Sequence, residues 1–82
     1  AKKLKLGPFT VQVGAFAQES NAYRLAALLR TEYDQVNVLR YDRGDMVLYR
    51  VRVGKTGSLD QAKKIQARLR AAGEKQAFTV AW

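Results

Sequence analysis

The chain has 82 residues, room for a single domain with a small core, and no apolar run approaches the roughly 18 residues of a membrane span. It contains no Cys and no His, which excludes disulfides, the usual zinc sites and the Ser–His and Cys–His nucleophile systems within this chain. Lys and Arg number 15 against seven Asp and Glu, and the net charge of +8 favours an anionic partner such as nucleic acid, an acidic lipid surface or a carboxylated polysaccharide.

The first predicted element follows a short basic segment. Residues 1–7 are expected to be the end of a linker, and because they form no secretory signal, any targeting segment is expected outside this chain. Between residues 9 and 14, Phe or Val at the odd positions alternates with Thr, Gln and Gly. This period of two predicts a strand with one face in the core, and it places Gln12 on the opposite face.

The middle of the chain predicts a helix and then a β-hairpin. From about Ser20 to Tyr33 the apolar residues follow helical spacing. A second strand is predicted from Val36 to Tyr41. Turn residues occupy positions 42–45, before the apolar run Val47–Val53, so the two strands are expected to pair as a hairpin.

A second helix and a last strand complete the pattern. Ser58 and Gln61 have the spacing of a capping box at a helix start. Gly73 stands where the chain needs a positive φ after the helix, and residues 77–82 are predicted as the last strand. The order βαββαβ predicts an α+β, ferredoxin-like (RNP-like) fold, in which two helices cover one face of a four-stranded antiparallel sheet. The open face of that sheet is the candidate for function.

The chain also repeats itself. Val11–Gly14 reappears as Val51–Gly54, an offset of 40 residues, and basic residues recur at the same offset in the helices. The same offset relates Ala22 to Ala62, Leu25 to Ile65 and Leu29 to Leu69. Two similar half-domains are therefore expected.

Three segments resemble a known family. Phe9–Phe16, an aromatic followed by Val-Gln-hydrophobic-Gly-small-Phe, resembles the opening signature of the sporulation-related repeat (SPOR) domains. Leu48–Gly54 resembles the third strand of that family, and Ala71–Gly73 resembles the small-residue stop of its second helix. The resemblance extends over residues 8–82. Among proteins that carry such domains, the third strand is most similar to that of rare lipoprotein A, a septal lytic transglycosylase, but the parent protein stays open.

The resemblance implies a binding module without catalytic activity. It implies a monomer in the bacterial periplasm and septal cell wall that binds peptidoglycan glycan strands lacking stem peptides and so targets its parent protein to the division septum. It implies no cofactor, no nucleic-acid partner and no membrane span. Loss of stem peptides bares the lactyl carboxylates of muramic acid, to which a guanidinium can donate two parallel hydrogen bonds.

The family resemblance also implies binding residues. Gln12 and Arg50 match binding positions of the family, and the strand alternation places both on the open face. Phe78 matches a position that contacts glycan. The sequence of the last strand does not indicate whether its odd or its even positions face the core, so burial of Phe78 stays an alternative.

Further candidates lie beside these positions. Ala15 stands where many members have Ser, and Leu48 stands where some have an aromatic residue, so weaker glycan binding is one expectation. Alternatively Phe16 or Phe78 supplies the missing contact surface. Arg52 is added because it is close to the other candidates in the pattern.

Other functions are weighed against this one. RNA-recognition motifs share the βαββαβ order but need aromatic residues along the third strand, where this chain has Asp45, Val47 and Arg50. A protein-interaction domain is the second alternative. The carboxylates form no close pair for glycoside hydrolysis. The basic residues of the helices are expected to be solvated and not to be part of the site; they are Arg24, Arg30, Lys63, Lys64, Arg68 and Arg70.

Overall fold

Six elements follow one another in a computed structural model that describes residues 7–82. They are β1 (Phe9–Phe16), α1 (Glu19–Leu29), β2 (Val36–Asp42), β3 (Val47–Thr56), α2 (Leu59–Ala71) and β4 (Phe78–Ala81). The predicted βαββαβ order is confirmed. Of the predicted linker end, residues 1–6 lie outside the described residues, and its boundary with the domain stays a prediction.

The four strands form one antiparallel sheet in the order β2-β3-β1-β4. The first strands of the two repeated halves, β1 and β3, therefore lie side by side in the middle. Both helices cover the same face, where Val11, Val51 and Val53 of the central strands are fully buried. The helix residues that meet them are small enough for close packing, since Ala22, Ala26 and Ala62 are also fully buried.

An extra residue interrupts β1. Gln12 pairs with Arg52 but Gly14 pairs with Val51, so Val13 has no partner of its own in β3. This is a β-bulge, and it reverses the alternation of sides along the strand. Every residue of β1 after Val13 points to the side opposite to that predicted by simple alternation from Gln12.

A second irregularity lies in β3. Gly54 and Lys55 together stand opposite the single residue Thr10 of β1. Gly54 has a φ of +79°, and a Cβ there would lie 2.9 Å from the Cδ1 of Ile65. The Thr10 hydroxyl bonds to the carbonyl oxygens of Gly54, at 2.6 Å, and Val53, at 3.1 Å, which stabilises the kinked backbone.

Helix α1 ends earlier than the sequence predicts. Its last residue is Leu29, and the backbone N–H of Tyr33 returns to the carbonyl of Leu29 at 2.9 Å in a turn. Tyr33 nevertheless packs against the core, with the guanidinium of Arg68 5.1 Å from the centroid of its ring. The helical spacing of apolar residues extends beyond the end of α1 because Tyr33, which lies in the turn, also packs against the core.

The start of α2 carries half of the predicted capping box. The Ser58 Oγ accepts a hydrogen bond from the backbone N–H of Gln61 at 3.3 Å, as expected. In a complete capping box the Gln61 side chain would accept directly from the Ser58 backbone N–H. Here Thr56 lies between them: its hydroxyl donates to Gln61 Oε1 at 2.7 Å and accepts from the Ser58 backbone N–H at 3.1 Å. Gly73, just beyond the helix, has the expected positive φ of +107°.

Two arginines at the C-terminal ends of the helices bind backbone carbonyls near the strands that follow. Arg30 donates through Nη2 to the carbonyl of Val36 at 3.0 Å, and Arg70 donates through Nε to the carbonyl of Ala77 at 2.8 Å. Each bond joins the end of a helix to the start of the next strand, so the 40-residue repeat extends to an equivalent contact in both halves. The expectation that these two side chains are only solvated is therefore wrong.

Candidate functional site

One row of side chains crosses the whole open face, which consists of the strand positions that point away from both helices. Asn37 of β2, Arg52 of β3, Gln12 of β1 and Phe78 of β4 are successive partners across the sheet. Because directly paired residues point to the same side, the four side chains stand next to one another. We call them the central row.

The middle of the central row is polar and its β4 end is apolar. Arg52 donates through Nε to Gln12 Oε1 at 3.4 Å, a long bond that orients the carboxamide. Within the described residues, the amide nitrogen of Gln12 makes no hydrogen bond to protein, so it is available as a donor. Phe78 keeps 43% of its surface exposed, whereas its neighbour Ala77 is fully buried.

A second row lies on the side of the β2–β3 turn. It consists of Leu39, Arg50 and Ala15, which are successive partners on β2, β3 and β1. Beyond it, Tyr41 pairs with Leu48. The guanidinium carbon of Arg50 lies 3.9 Å from the centroid of the Tyr41 ring, close enough for a cation–π contact that holds the guanidinium over the ring.

The open face is strongly cationic. Arg50 and Arg52 are two residues apart on one strand, so their Cα atoms are about 7 Å apart. Burial of the side chain, and then the charge of Arg50, lowers the pKa of Arg52. Since a guanidinium stays charged in proteins, the lowered pKa means that this positive charge is unfavourable as it stands. A bound anion next to Arg52 would stabilise its positive charge and so offset both the burial and the repulsion from Arg50.

Acidic residues do not neutralise this face. Asp42 is the single carboxylate within the four strands, and it lies at the end of β2 on the helix side. In the part of the chain that the structure describes, the one ion pair joins Arg43 to Asp45 in the β2–β3 turn. The two arginines of the open face are thus left to interact with a ligand.

Six of the seven residues predicted for the site lie on the open face. They are Gln12, Ala15, Leu48, Arg50, Arg52 and Phe78. For Phe78 the pairing with Gln12 resolves the side that the sequence left open. Their role in binding stays a prediction.

The expectation that Phe16 adds to this surface is not met. Phe16 pairs with Tyr49 on the helix side and packs against the core. The bulge at Val13 is the physical reason, because without it Phe16 would share the side of Gln12. The ring lies against the backbone of Gly14, where an added Cβ would be 3.2 Å from it.

Sequence analysis overlooked the contribution of β2. Asn37, Leu39 and Tyr41 all point to the open face, and Tyr41 is 41% exposed. The signal was present, because Val36 and Val38 alternate with them and face the helices. The same parity argument that located Gln12 would have located these three residues.

A third exposed aromatic side chain lies at the end of the sheet opposite to Tyr41. Trp82 follows Phe78 and Val80 at alternate positions, which places its ring on the open side, and it is 41% exposed. The Nζ of Lys55 lies 5.0 Å from the centroid of the indole ring. We call Lys55 and Trp82 the far corner. This pair could not be predicted from the sequence, because the irregularity at Gly54 determines where Lys55 points.

Comparison with known proteins assigns the family. The family model described as the SPOR domain matches residues 5–81. The chain belongs to the SPOR domain family. SPOR domains are peptidoglycan-binding modules that target proteins to the septum. The resemblance seen in the sequence is thereby confirmed.

A solved structure supports the same assignment. The SPOR domain is similar to the crystal structure of the RlpA SPOR domain from Pseudomonas aeruginosa, with a TM-score of 0.78 and 33% sequence identity. The match covers 90% of this chain and 99% of that one. It confirms the predicted fold class. A search of curated proteins found no match.

The setting of SPOR domains is the bacterial envelope, where they act on the cell wall and the septum. Among residues 7–82 of this SPOR domain, neither helix has the length and apolar character needed to cross a membrane. The open face, with its two arginines and the central row, is therefore the candidate surface for peptidoglycan.

Proposed function

We propose that this SPOR domain binds denuded glycan strands, that is, peptidoglycan glycan without stem peptides, through its open face. The observation that carries the proposal is the arrangement of Arg50 and Arg52 beside Gln12 on a face whose strand positions hold no carboxylate. Such a surface is complementary to a polymer with regularly spaced negative charges.

The chemistry of the ligand matches these side chains one by one. Loss of a stem peptide leaves the lactyl carboxylate of muramic acid, and a guanidinium donates two parallel hydrogen bonds to such a group. The carboxamide of Gln12 both donates and accepts, as binding to an acetamido group requires. The exposed ring of Phe78 offers a flat apolar surface for one face of a sugar ring.

The preference for denuded strands follows from charge. In an intact strand the lactyl group is bound in an amide to the stem peptide, so it carries no charge for Arg50 or Arg52 to bind. The stem peptide would also project from the strand against the sheet. Both effects favour the stripped polymer.

The site is a surface on one domain, which is compatible with a monomer that docks along a strand. We infer a periplasmic location at the septal wall and a parent protein of the rare lipoprotein A type, in which any catalysis would belong to another part. Support for this parent comes from the similarity to the RlpA domain.

The open face favours glycan over RNA as the ligand. Binding of single-stranded bases by such a sheet relies on aromatic residues of the two central strands. On β1 and β3 the open face presents instead Gln12, Ala15, Leu48, Arg50 and Arg52. The exposed aromatic rings of the open face are instead Tyr41 on β2, Phe78 on β4 and Trp82 just after β4.

The proposal is tested by cosedimentation of the purified domain with sacculi, before and after an amidase strips their stem peptides, at low and moderate salt. We expect stronger retention on stripped sacculi that survives moderate salt. Equal retention on both, abolished by salt, would reduce the interaction to nonspecific cation exchange and overturn the proposal.

Substitutions on the open face sharpen this test. Gln12→Ala and Arg50→Ala should each weaken binding to stripped sacculi by on the order of 1 to 3 kcal/mol, because each removes a polar contact to the ligand. Arg24→Ala is the matched control, since Arg24 is exposed on α1 and the substitution removes the same charge. Unchanged binding by a folded Gln12→Ala, Arg50→Ala double variant would show that these residues do not carry recognition.

A further inference from the structure

The far corner continues the open face beyond the central row. Trp82, the residue after the end of β4, lies four residues after Phe78 on the same side of the sheet, a separation of about 13 Å for an extended chain. Between them Val80 is half-buried and pairs with Thr10 of β1. The surface from one aromatic ring to the other is therefore continuous.

Hydrogen bonds hold the backbone beneath the far corner in place. Lys55 of β3 and Trp82, just after β4, meet across β1, which lies between β3 and β4. Thr10 of β1 is only 1% exposed, and its hydroxyl is bonded to carbonyl oxygens of β3. The backbone N–H of Trp82 donates to the Pro8 carbonyl at 2.9 Å, so the end of β4 is also held to the sheet. These bonds fix the backbone from which both side chains project.

The pair has the chemistry of a sugar-binding site. The indole is a large flat apolar surface of which 41% is exposed. No carboxylate lies within 4 Å of the Lys55 ammonium among the described residues, and the π face of the indole orients it without neutralising its charge. The open face therefore has two pairs of an aromatic ring and a cation. Lys55 and Trp82 form one, and Arg50 and Tyr41 form the other at the opposite end of the sheet.

We propose that Lys55 and Trp82 form a second subsite of the open face, which binds a further carboxylate-bearing sugar of the same glycan strand. The inference rests on the proposed function. The Trp82 ring stacks on a sugar ring, and the Lys55 ammonium binds the lactyl carboxylate as a point charge.

A second subsite on one surface makes affinity depend on ligand length. A strand that occupies the central row brings its next sugars to the far corner without a second bimolecular association, so the added contacts increase affinity directly. A fragment too short to extend from Phe78 to Trp82 cannot use both. The subsite therefore predicts a step in affinity as the glycan lengthens.

The test uses denuded glycan disaccharides and octasaccharides, whose binding is followed by calorimetry and by tryptophan emission. Trp82 is the only tryptophan of the chain, so the emission reports on the far corner alone. We expect the octasaccharide to change the emission and to bind at least tenfold more tightly than the disaccharide. In the Lys55→Gln, Trp82→Ala variant, octasaccharide affinity should fall by on the order of tenfold while disaccharide binding at the central row changes little.

A matched control and a second variant separate the outcomes. Lys63→Gln removes the same charge from the exposed side of α2 and should leave the affinity for both fragments unchanged. Lys55→Gln alone retains the indole and should still weaken octasaccharide binding. If wild-type protein binds neither fragment, the proposed function fails. If Arg50→Ala weakens octasaccharide binding but the Lys55→Gln, Trp82→Ala variant binds it as wild type does, only the second subsite is wrong.

Discussion

Arg50 is oriented by an aromatic ring instead of an acid. A free arginine side chain loses about 2 kcal/mol of rotamer entropy when it is fixed, and that loss normally weakens binding. The contact with Tyr41, at 3.9 Å from the ring centroid, restricts Arg50 before any ligand arrives. A carboxylate in the same place would also restrict it but would neutralise the charge that the ligand needs. Tyr41 is therefore a positioning residue of the proposed site.

This role predicts different effects for two substitutions. Tyr41→Leu removes the ring and should weaken binding to denuded glycan by about 0.5–1 kcal/mol, or roughly two- to fivefold, because Arg50 loses its cation–π partner. Tyr41→Phe keeps the ring and should bind like wild type. Calorimetry with the denuded octasaccharide measures both.

Two controls test whether Tyr41 acts through Arg50. Tyr23→Leu makes the same change at a ring that is 47% exposed on α1, and its affinity should equal that of wild type. In the Arg50→Ala background, Tyr41→Leu should have little further effect, since the two residues act as a unit. Fully additive losses would mean that Tyr41 contacts the ligand by itself or has another role.

At the scale of the strands, two irregularities decide which side chains reach the open face. The bulge at Val13 places Ala15 on the same side as Gln12, three residues earlier. The irregularity at Gly54 turns β3 so that Lys55 reaches across to Trp82. Regular strands would present a different surface from the same sequence.

Substitution of Gly54 should therefore be costly. Gly54→Ala places a Cβ 2.9 Å from Ile65 Cδ1 at a residue whose φ is +79°. Gly44→Ala is the matched control, because Gly44 has a φ of +97° and nothing within 4 Å of the added Cβ. We expect Gly44→Ala to lower the free energy of unfolding by about 1–2 kcal/mol, from backbone strain alone. Gly54→Ala should lower it by a further 1–3 kcal/mol, roughly the cost of overpacking.

Urea denaturation measures both losses, and a rescue identifies their cause. Ile65→Val deletes the Cδ1 atom, so it should recover part of the additional loss in the Gly54→Ala background, although alone it costs about 0.5–1.5 kcal/mol. Absence of any recovery would rule out this contact as the source of the destabilisation.

For the molecule as a whole, the sequence predicted the fold because several independent patterns agree. The alternation around Gln12, the helical spacing and the 40-residue repeat all require the same βαββαβ order. Alternation also located Arg50, whose strand is regular at that point. Phe16 was a candidate only because it is close to the other candidates in the pattern, and alternation could not have corrected this, because nothing in the order of residues reveals a bulge at Val13. The Lys55–Trp82 contact depends on such an irregularity and on side-chain reach, so the sequence did not predict it.

Positive charge covers more of the molecule than the proposed site. Lys63 and Lys64 are exposed on α2, on the side of the sheet opposite to Arg50 and Arg52. Charges on both sides attract an anionic wall at low salt, but at 0.1 M ionic strength the Debye length is about 10 Å, and distant exposed charges are largely screened. Charges in contact with the ligand are screened much less. The two pairs should therefore have different functions.

Two double variants of equal charge separate these functions. Lys63→Gln, Lys64→Gln should reduce retention on intact and stripped sacculi alike at low salt, and should keep the preference for stripped sacculi at moderate salt. Arg50→Gln, Arg52→Gln removes the same charge and should abolish that preference, because the direct contacts to the lactyl carboxylates are lost. The ratio of retention on stripped and intact sacculi, measured by cosedimentation at both salt concentrations, distinguishes the two. If both variants lose the preference to the same extent, net charge and not the open face determines it.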